Sequence, residues 1–197
     1  IIINNYQNPL SASSSVEELE LLAKLAVKHD LWVLSDDAYF EIRYSHDPPR
    51  SIVNFPGMKE RTVILYTFSK KFAMTGWRIG ASIGPVSVLK HMARFNINDE
   101  SCTNHFIQHA LASTLEDDNK EAKTILNTLM RRRNLCLQKL NSIDGIDIPT
   151  PESTFYLFPN VTKIMDKKGY KNLDQFRIDA LKNTGVSFCT REHFGTP

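Results

Sequence analysis

A pair of adjacent lysines marks the first stretch of this chain that could do chemistry. Lys70 and Lys71 follow an apolar run at 63–66 and precede a segment punctuated by glycines. A lysine becomes a nucleophile or a base once its amine loses a proton, which burial or neighbouring cations favour. Arg78 follows shortly after and brings such a cation. Residues 67–80, which read TFSKKFAMTGWRIG, therefore form a candidate site.

Polar side chains also follow two earlier apolar runs. Asn8 comes after the run at 1–3, and Asp36 and Tyr39 come after the run at 31–34. In open α/β sheets, ligands bind beyond the carboxyl ends of the strands, so these residues and the lysine are expected near one another. No GxGxxG or GxxxxGK[ST] motif occurs, so nucleotide binding through those devices is not supported.

The elements that would position these residues follow from periodicity and turn residues. Short apolar runs predict parallel strands, and the intervening apolar positions at helical spacing predict a crossover helix. Ser14 with Glu17 fits a capping box at the start of that helix. The predicted strands are 1–4, 31–34, 62–68 and 78–83, with short ones at 146–148, 155–158 and 186–189. The later predicted helices are 86–97, 103–116, 118–141, 161–168 and 173–184.

Composition limits the classes of protein that the chain can represent. The 197 residues are 42% hydrophobic and 23% charged, which is typical of a globular protein. A net charge of +2 gives no argument for nucleic acid or an acidic membrane surface. No apolar run approaches the roughly 20 residues needed to span a bilayer. The cysteines are few and widely spaced, which favours reduced thiols, and the histidines show no metal-ligand spacing.

Residues 67–80 resemble the lysine signature of fold-type I pyridoxal-phosphate enzymes, and of class I and II aminotransferases in particular. That signature has a hydroxyl or small residue three before the lysine, an arginine eight after it, and a small residue two further on. Lys70 satisfies this spacing, and Lys71 does not. The residues that match are Thr67, Arg78 and Gly80. Lys70 is therefore the reactive candidate, and Lys71 is expected to be a solvated neighbour.

Two further segments are similar to motifs of the same family. Residues 35–39 resemble S-D-E-x-Y, whose first acid meets the cofactor ring nitrogen and whose tyrosine meets its phenolic oxygen. Residues 8–11 resemble N-P-T-G, whose asparagine reaches that oxygen, although Leu10 and Ser11 replace Thr and Gly. Residues 155–158 resemble the strand of the small domain, and 185–195 resemble a late family motif.

The resemblance implies a three-layer α/β/α large domain with a mostly parallel sheet and part of a small α/β domain. We expect the large domain to cover 1–135 and the small domain 136–197, in a fragment of a longer protein. Pyridoxal 5'-phosphate would form a Schiff base with Lys70, and Asp36 and Tyr39 would share the catalysis. The implied cofactor-binding residues are Asn8, Asp36, Tyr39, Thr67, Lys70 and Arg78, with no metal.

The implied activity is a ping-pong exchange of an amino group between an amino acid and a 2-oxo acid. The family further implies a cytoplasmic homodimer that binds neither nucleic acid nor membrane. Two alternatives stay open. A carbon–sulfur β-lyase or an aminocyclopropane-carboxylate-type synthase would use the same residues on another bond. An aminotransferase-like sensor domain of a transcription regulator would bind the cofactor without turnover. The isolated fragment is expected to be inactive.

Overall fold

A mixed sheet forms the centre of the molecule in the computed structural model, which describes residues 1–45, 47–116 and 120–195. Its strands lie in the order β1, β2, β3, β4. The first three are parallel, and β4 runs antiparallel to β3. The strands are β1 (Ile2–Ile3), β2 (Val33–Asp36), β3 (Thr62–Thr67) and β4 (Gly80–Ile83). The predicted α/β fold with a mostly parallel sheet is confirmed.

Helices connect and follow these strands. They are α1 (Val16–Lys28), α2 (Phe68–Lys71), α3 (Val86–Asp99), α4 (His105–Glu116), α5 (Lys120–Asn141), α6 (Thr162–Lys168) and α7 (Leu173–Thr184). The predicted helices agree with the observed ones to within a few residues, except that 118 and 119 lie outside the described residues. In the part of the chain that the structure describes, no helix is long and apolar enough to cross a membrane.

Helix α1 begins one residue later than its sequence pattern suggests. Ser15, not Ser14, is the N-cap, and its hydroxyl accepts a hydrogen bond from the Glu18 amide while the Glu18 carboxylate accepts from the Ser15 amide. This reciprocal pair satisfies two donors that the first helical turn leaves open. The buried face of α1 packs on the sheet. Its core cluster consists of Leu19, Ala23, Ala26, Val33, Ile52 and Met58.

The pairing of β3 with β4 explains the small residue that ends the lysine motif. Thr67 faces Gly80 in the antiparallel register. A Cβ atom on Gly80 would lie 2.6 Å from the main-chain oxygen of Tyr66, closer than side chains approach. Glycine at this position therefore lets β4 come close to the strand that leads into Lys70.

The three short strands predicted late in the chain are not formed. Residues 155–158 and 186–189 have no ladder partner in the described part of the chain, and the segment at 146–148 makes only an isolated antiparallel bridge from Asp147 to Asn160. Apolar, β-branched segments become strands only where a neighbouring backbone supplies ladder hydrogen bonds. Here the extended segments contact side chains and loops instead.

Candidate active site

Lys70 lies on α2, the short helix that directly follows β3. The Thr67 hydroxyl accepts a hydrogen bond from the Ser69 amide at 3.2 Å and so caps this helix. The half-buried Lys70 ammonium lies 5.8 Å from the ring centre of Tyr39 and 5.9 Å from that of Phe155. Among the described residues it makes no ion pair. A primary amine beside a pair of packed aromatic rings could bond a carbonyl carbon or exchange a proton with a ligand.

Lys71 is not the solvated neighbour that the sequence predicts. Its side chain is 10% exposed, and its ammonium lies 3.4 Å from a carboxylate oxygen of Glu41. The Tyr66 hydroxyl donates to the same oxygen from 3.3 Å. Burial, followed by the Glu41 charge, raises the pKa of Tyr66, so this phenol remains a donor. The correction follows from a contact between segments that local sequence cannot show.

Asp36 ends β2, and the side chain of Asn4, the residue that follows β1, holds its backbone. The side-chain nitrogen of Asn4 donates to the main-chain oxygen of Asp36 at 2.9 Å. The side-chain oxygen of Asn4 accepts from the main-chain N–H of Asn8 at 2.8 Å. The Asp36 carboxylate itself accepts from the Ala38 amide at 3.2 Å. Asn4 therefore connects two of the predicted site residues, Asp36 and Asn8. The sequence places Asn4 directly after a strand, which is the pattern that could have identified it.

The two adjacent carboxyl groups of β2 differ in environment. Asp37 is buried and accepts a hydrogen bond from the Ser35 hydroxyl at 2.8 Å, whereas Asp36 is half-buried. Burial raises the pKa of Asp37 to about 6, and the neighbouring Asp36 charge adds to that rise while the Ser35 bond opposes it. Asp37 thus belongs to the interior, and Asp36 is the carboxyl that faces outward at the strand end.

Tyr39 is buried beside an aromatic segment from the far end of the sequence. Its hydroxyl lies 2.5 Å from the hydroxyl of Tyr156, and its ring packs edge-on against Phe155. Burial, the Tyr156 hydrogen bond and the Asp36 charge all raise the pKa of Tyr39, so this phenol keeps its proton. No local sequence pattern places residues 155 and 156 against Tyr39, so the sequence predicts no role for them in the site.

A buried hydroxyl pair joins the first turn of the site to the same aromatic segment. The Ser11 hydroxyl lies 2.6 Å from that of Thr154 and donates to the Tyr156 carbonyl oxygen at 2.9 Å. Ser11 adopts a left-handed backbone conformation with φ of 59°, at the position where the resembled motif has glycine. Its hydrogen bonds offset part of that conformational cost.

Thr67 ends β3, and Arg78 lies two residues before β4 in the segment that connects the two strands. The Thr67 hydroxyl also contacts the Ile79 carbonyl oxygen at 3.4 Å. The exposed Arg78 has a left-handed φ of 53°, and one guanidinium nitrogen donates to the Thr75 carbonyl oxygen at 2.9 Å. A guanidinium carries five N–H donors, so most of those of Arg78 remain for an anionic ligand.

The structure brings the predicted residues together in three groups along one edge of the sheet. Lys70 lies near Tyr39, Asp36 is joined to Asn8 through Asn4, and Thr67 and Arg78 lie at the two ends of the segment that connects β3 to β4. The register connects these groups, because Asp36 pairs with Leu65 on the strand that leads to Lys70. The strand ends therefore carry an amine, a carboxylate, a phenol and a guanidinium, and their use by one ligand stays a prediction.

A cleft lies elsewhere, between residues 43–45 and 47–50 on one side and residues 150–152 on the other. Its volume is about 610 Å³, and none of the predicted site residues lines it. Each of its arginines already donates to a main-chain oxygen. These arginines are Arg43, Arg50 and Arg133. The cleft is therefore not the candidate active site.

Comparison with known proteins identifies the family of the chain. The family model described as "Aminotransferase class I and II" matches residues 1–196. The chain is 32% identical to the asparagine–oxo-acid transaminase of Streptococcus mutans, over 100% of this chain and 50% of that protein. It is 39% identical to aromatic-amino-acid aminotransferase 2 of Thermococcus litoralis, over 82% of this chain and 42% of that protein.

A solved structure shows the same architecture. The aromatic aminotransferase from Pyrococcus horikoshii superposes with a TM-score of 0.90 at 34% identity, covering 99% of this chain and 51% of that one. The α/β fold of this chain is thus that of the matching half of an aminotransferase. The chain belongs to the class I and II aminotransferase family, and it spans about half the length of the curated relatives that it matches.

Proposed function

We propose that the full-length protein is a pyridoxal-phosphate-dependent aminotransferase. The observation that carries this proposal is the placement of Lys70, whose amine has no described ion pair and lies 5.8 Å and 5.9 Å from the ring centres of Tyr39 and Phe155 in a chain of this family. Asp36 and Asn8 lie at the ends of the two neighbouring strands. The donor set fits the cofactor, because it combines an amine, a carboxylate, a protonated phenol and a guanidinium.

Between them, these side chains would hold the aldehyde carbon, the ring nitrogen, the phenolic oxygen and the phosphate of the cofactor. Lys70 would bond the aldehyde carbon, and Asp36 would meet the ring nitrogen and keep it protonated by charge. Tyr39 and Asn8 would donate to the phenolic oxygen. Arg78 would bind the phosphate with its remaining donors, helped by Thr67, whose hydroxyl also caps α2.

When bound, pyridoxal phosphate supplies an electron sink that makes the α-proton of an amino acid removable. The chain's own task is then proton transfer and orientation. The Lys70 amine is the base that takes and returns the proton at the substrate α-carbon. The Tyr39 ring, which is buried, limits the directions from which water reaches that amine.

Substrates, assembly and domain limits are parts of the same proposal. The names of the relatives mention asparagine and aromatic amino acids, and we propose an amino acid and a 2-oxo acid as the substrate pair. We further propose a cytoplasmic homodimer, with a large domain at 1–135 and part of a small domain at 136–197. The proposed boundary falls inside α5, and residues 153–156 beyond it contact the turn at Ser11.

Borohydride reduction followed by peptide mapping tests the proposal directly. The full-length protein loaded with pyridoxal phosphate should yield a reduced label on Lys70, and an amino acid should pass its nitrogen to a 2-oxo acid. Pyruvate and ammonia released without an amino acceptor would support the lyase alternative. Label on Lys70 without any turnover, together with a DNA-binding module in the same gene, would support the sensor alternative.

A further inference from the structure

Tyr156 reaches the site from a segment 117 residues away from Tyr39 in sequence. The two hydroxyls lie 2.5 Å apart, and the ring centres lie 5.6 Å apart at 67°. Tyr39 is 4% exposed, so this hydroxyl contact is shielded from solvent. A short contact between a buried phenol and a half-buried one makes the position of one depend on the other.

A closed ring of hydrogen bonds holds the Tyr156 backbone. The Tyr156 amide donates to the Thr154 hydroxyl oxygen at 3.1 Å, and the Ser11 hydroxyl donates to the Tyr156 carbonyl. Because the Ser11 proton is used on that carbonyl, the Thr154 hydroxyl must donate to Ser11 across their 2.6 Å contact. The donor and the acceptor of each hydrogen bond in this ring are therefore fixed. The Tyr156 backbone is held before any ligand arrives.

When the cofactor is bound, the two phenols can arrange their hydrogen bonds in only one direction. Each phenol has a single proton to donate. If Tyr39 donates to the cofactor's phenolic oxygen, it can only accept at the Tyr156 contact, so Tyr156 must be the donor there. Burial is the largest cause that raises the pKa of Tyr39, so this phenol keeps a proton that it can donate to the ligand.

We propose that Tyr156 is a positioning residue that donates to the Tyr39 hydroxyl and thereby directs the Tyr39 proton to the cofactor's phenolic oxygen. This inference rests on the proposed function. A phenol that accepts one hydrogen bond donates a stronger one, by about 10–30% in condensed-phase estimates. Tyr156 thus acts on the ligand through Tyr39 and without touching it.

The experiment is a pH titration of the visible absorbance of bound pyridoxal phosphate in the full-length protein. A donor to the phenolic oxygen stabilises its anionic form, so a weaker donation makes the Schiff-base linkage on Lys70 more basic. In Tyr156→Phe the midpoint of the titration should rise by about 0.5 unit, the size of a weakened hydrogen bond. Replacing Tyr156 by 3-fluorotyrosine, a stronger donor of nearly the same size, should lower the midpoint.

Tyr44→Phe is the matched control. The Tyr44 hydroxyl donates to the Thr154 carbonyl and so anchors the same segment without reaching Tyr39. Its loss should leave the midpoint unchanged. In a Tyr39→Phe background, Tyr156→Phe should cause no further shift, because the effect passes through Tyr39.

The outcomes separate this inference from the proposed function. A cofactor that binds with its normal absorbance but shows an unchanged or lowered midpoint in Tyr156→Phe overturns the role of Tyr156 alone. A shift that persists in the Tyr39→Phe background also overturns it. If the unaltered protein shows no absorbance from a lysine-bound cofactor, both the inference and the proposed function are rejected.

Discussion

The Lys71 ammonium lies 3.4 Å from a carboxylate oxygen of Glu41, whereas Lys70, the preceding residue, makes no ion pair among the described residues. One short helix thus presents two identical side chains to different partners. Lys71 is fixed by a carboxylate that also accepts from Tyr66. Lys70 is directed at the rings of Tyr39 and Phe155. Adjacent positions on a helix point about 100° apart, so a single helical turn is enough to separate the two roles.

Lys70→Ala should abolish the visible absorbance of pyridoxal phosphate bound to the full-length protein, because no other described amine lies at this position. Lys71→Ala should keep that absorbance, since its amine is occupied by Glu41. Absorbance spectra of both variants after loading and gel filtration provide the measurement. The reverse pattern would falsify the assignment of the reactive lysine.

Lys71→Ala should instead lower the free energy of unfolding. Removing Lys71 leaves Glu41 without its cation, and we expect a loss of about 1–2 kcal/mol because Glu41 remains partly solvated. The matched control is Lys24→Ala, whose exposed pair with Glu20 should contribute below about 0.5 kcal/mol. Urea unfolding of both variants measures the difference. Equal losses would show that burial of the Lys71 pair has no energetic effect.

Asp36→Asn should bind the cofactor and lose turnover by about 100-fold or more, since a ring nitrogen without a facing charge is protonated less. The asparagine oxygen can still accept from the Ala38 amide, so the turn should persist. Asp37→Asn is the control, because Asp37 bonds to Ser35 inside the fold and should leave most turnover intact. Steady-state kcat for both variants measures this, and near-normal turnover in Asp36→Asn would reject the ring-nitrogen assignment.

The raised pKa of Asp37 predicts that stability falls as pH rises. Between about pH 4 and the folded-state pKa of about 6, the folded chain keeps a proton that the unfolded chain has lost. The resulting loss is at most about 3 kcal/mol above pH 6, since one pKa unit corresponds to about 1.4 kcal/mol. Asp37→Asn should remove this pH dependence, and Glu60→Gln, at an exposed position, should retain it. Urea unfolding at about pH 4.5 and about pH 7.5 measures this pH dependence, because the two values lie on either side of the transition.

Local patterns in the sequence were sufficient for the elements that carry the site. The strand that leads to Lys70 was predicted to within one residue, whereas β2 begins and ends two residues later than the predicted strand at 31–34, because its ladder with β3 includes Ser35 and Asp36. The predicted N-cap of α1 lies one residue before the observed one, since neighbouring serines fit the capping pattern almost equally. The spacing that singled out Lys70 has a local cause as well, because Gly80 must lie against the backbone of β3.

Long-range contacts were outside the reach of the sequence. The late apolar segments were predicted as strands, but whether they pair depends on which backbone lies beside them. The pairing of Lys71 with Glu41 joins positions 30 residues apart, and the contact of Tyr39 with Tyr156 joins positions 117 apart. Neither contact leaves a periodic pattern. The roles of the individual site residues therefore remain predictions that the variants above address.

Ser11→Ala tests whether the hydroxyl ring at Thr154 stabilises the fold. The substitution removes the acceptor of the Thr154 proton and the donor to the Tyr156 carbonyl, at a residue that is 1% exposed. An unsatisfied buried polar group costs about 1–3 kcal/mol, so the free energy of unfolding should fall by that amount. Ser113→Ala, on an exposed face of α4, should change it by less than about 0.5 kcal/mol. Ser11→Gly should lose less than Ser11→Ala, because glycine adopts the left-handed φ of 59° without a steric cost. If urea unfolding shows the same stability for Ser11→Ala and Ser113→Ala, the hydrogen bonds of Ser11 contribute nothing to the free energy of unfolding. The aromatic contacts of Tyr156 would then be what holds it in place.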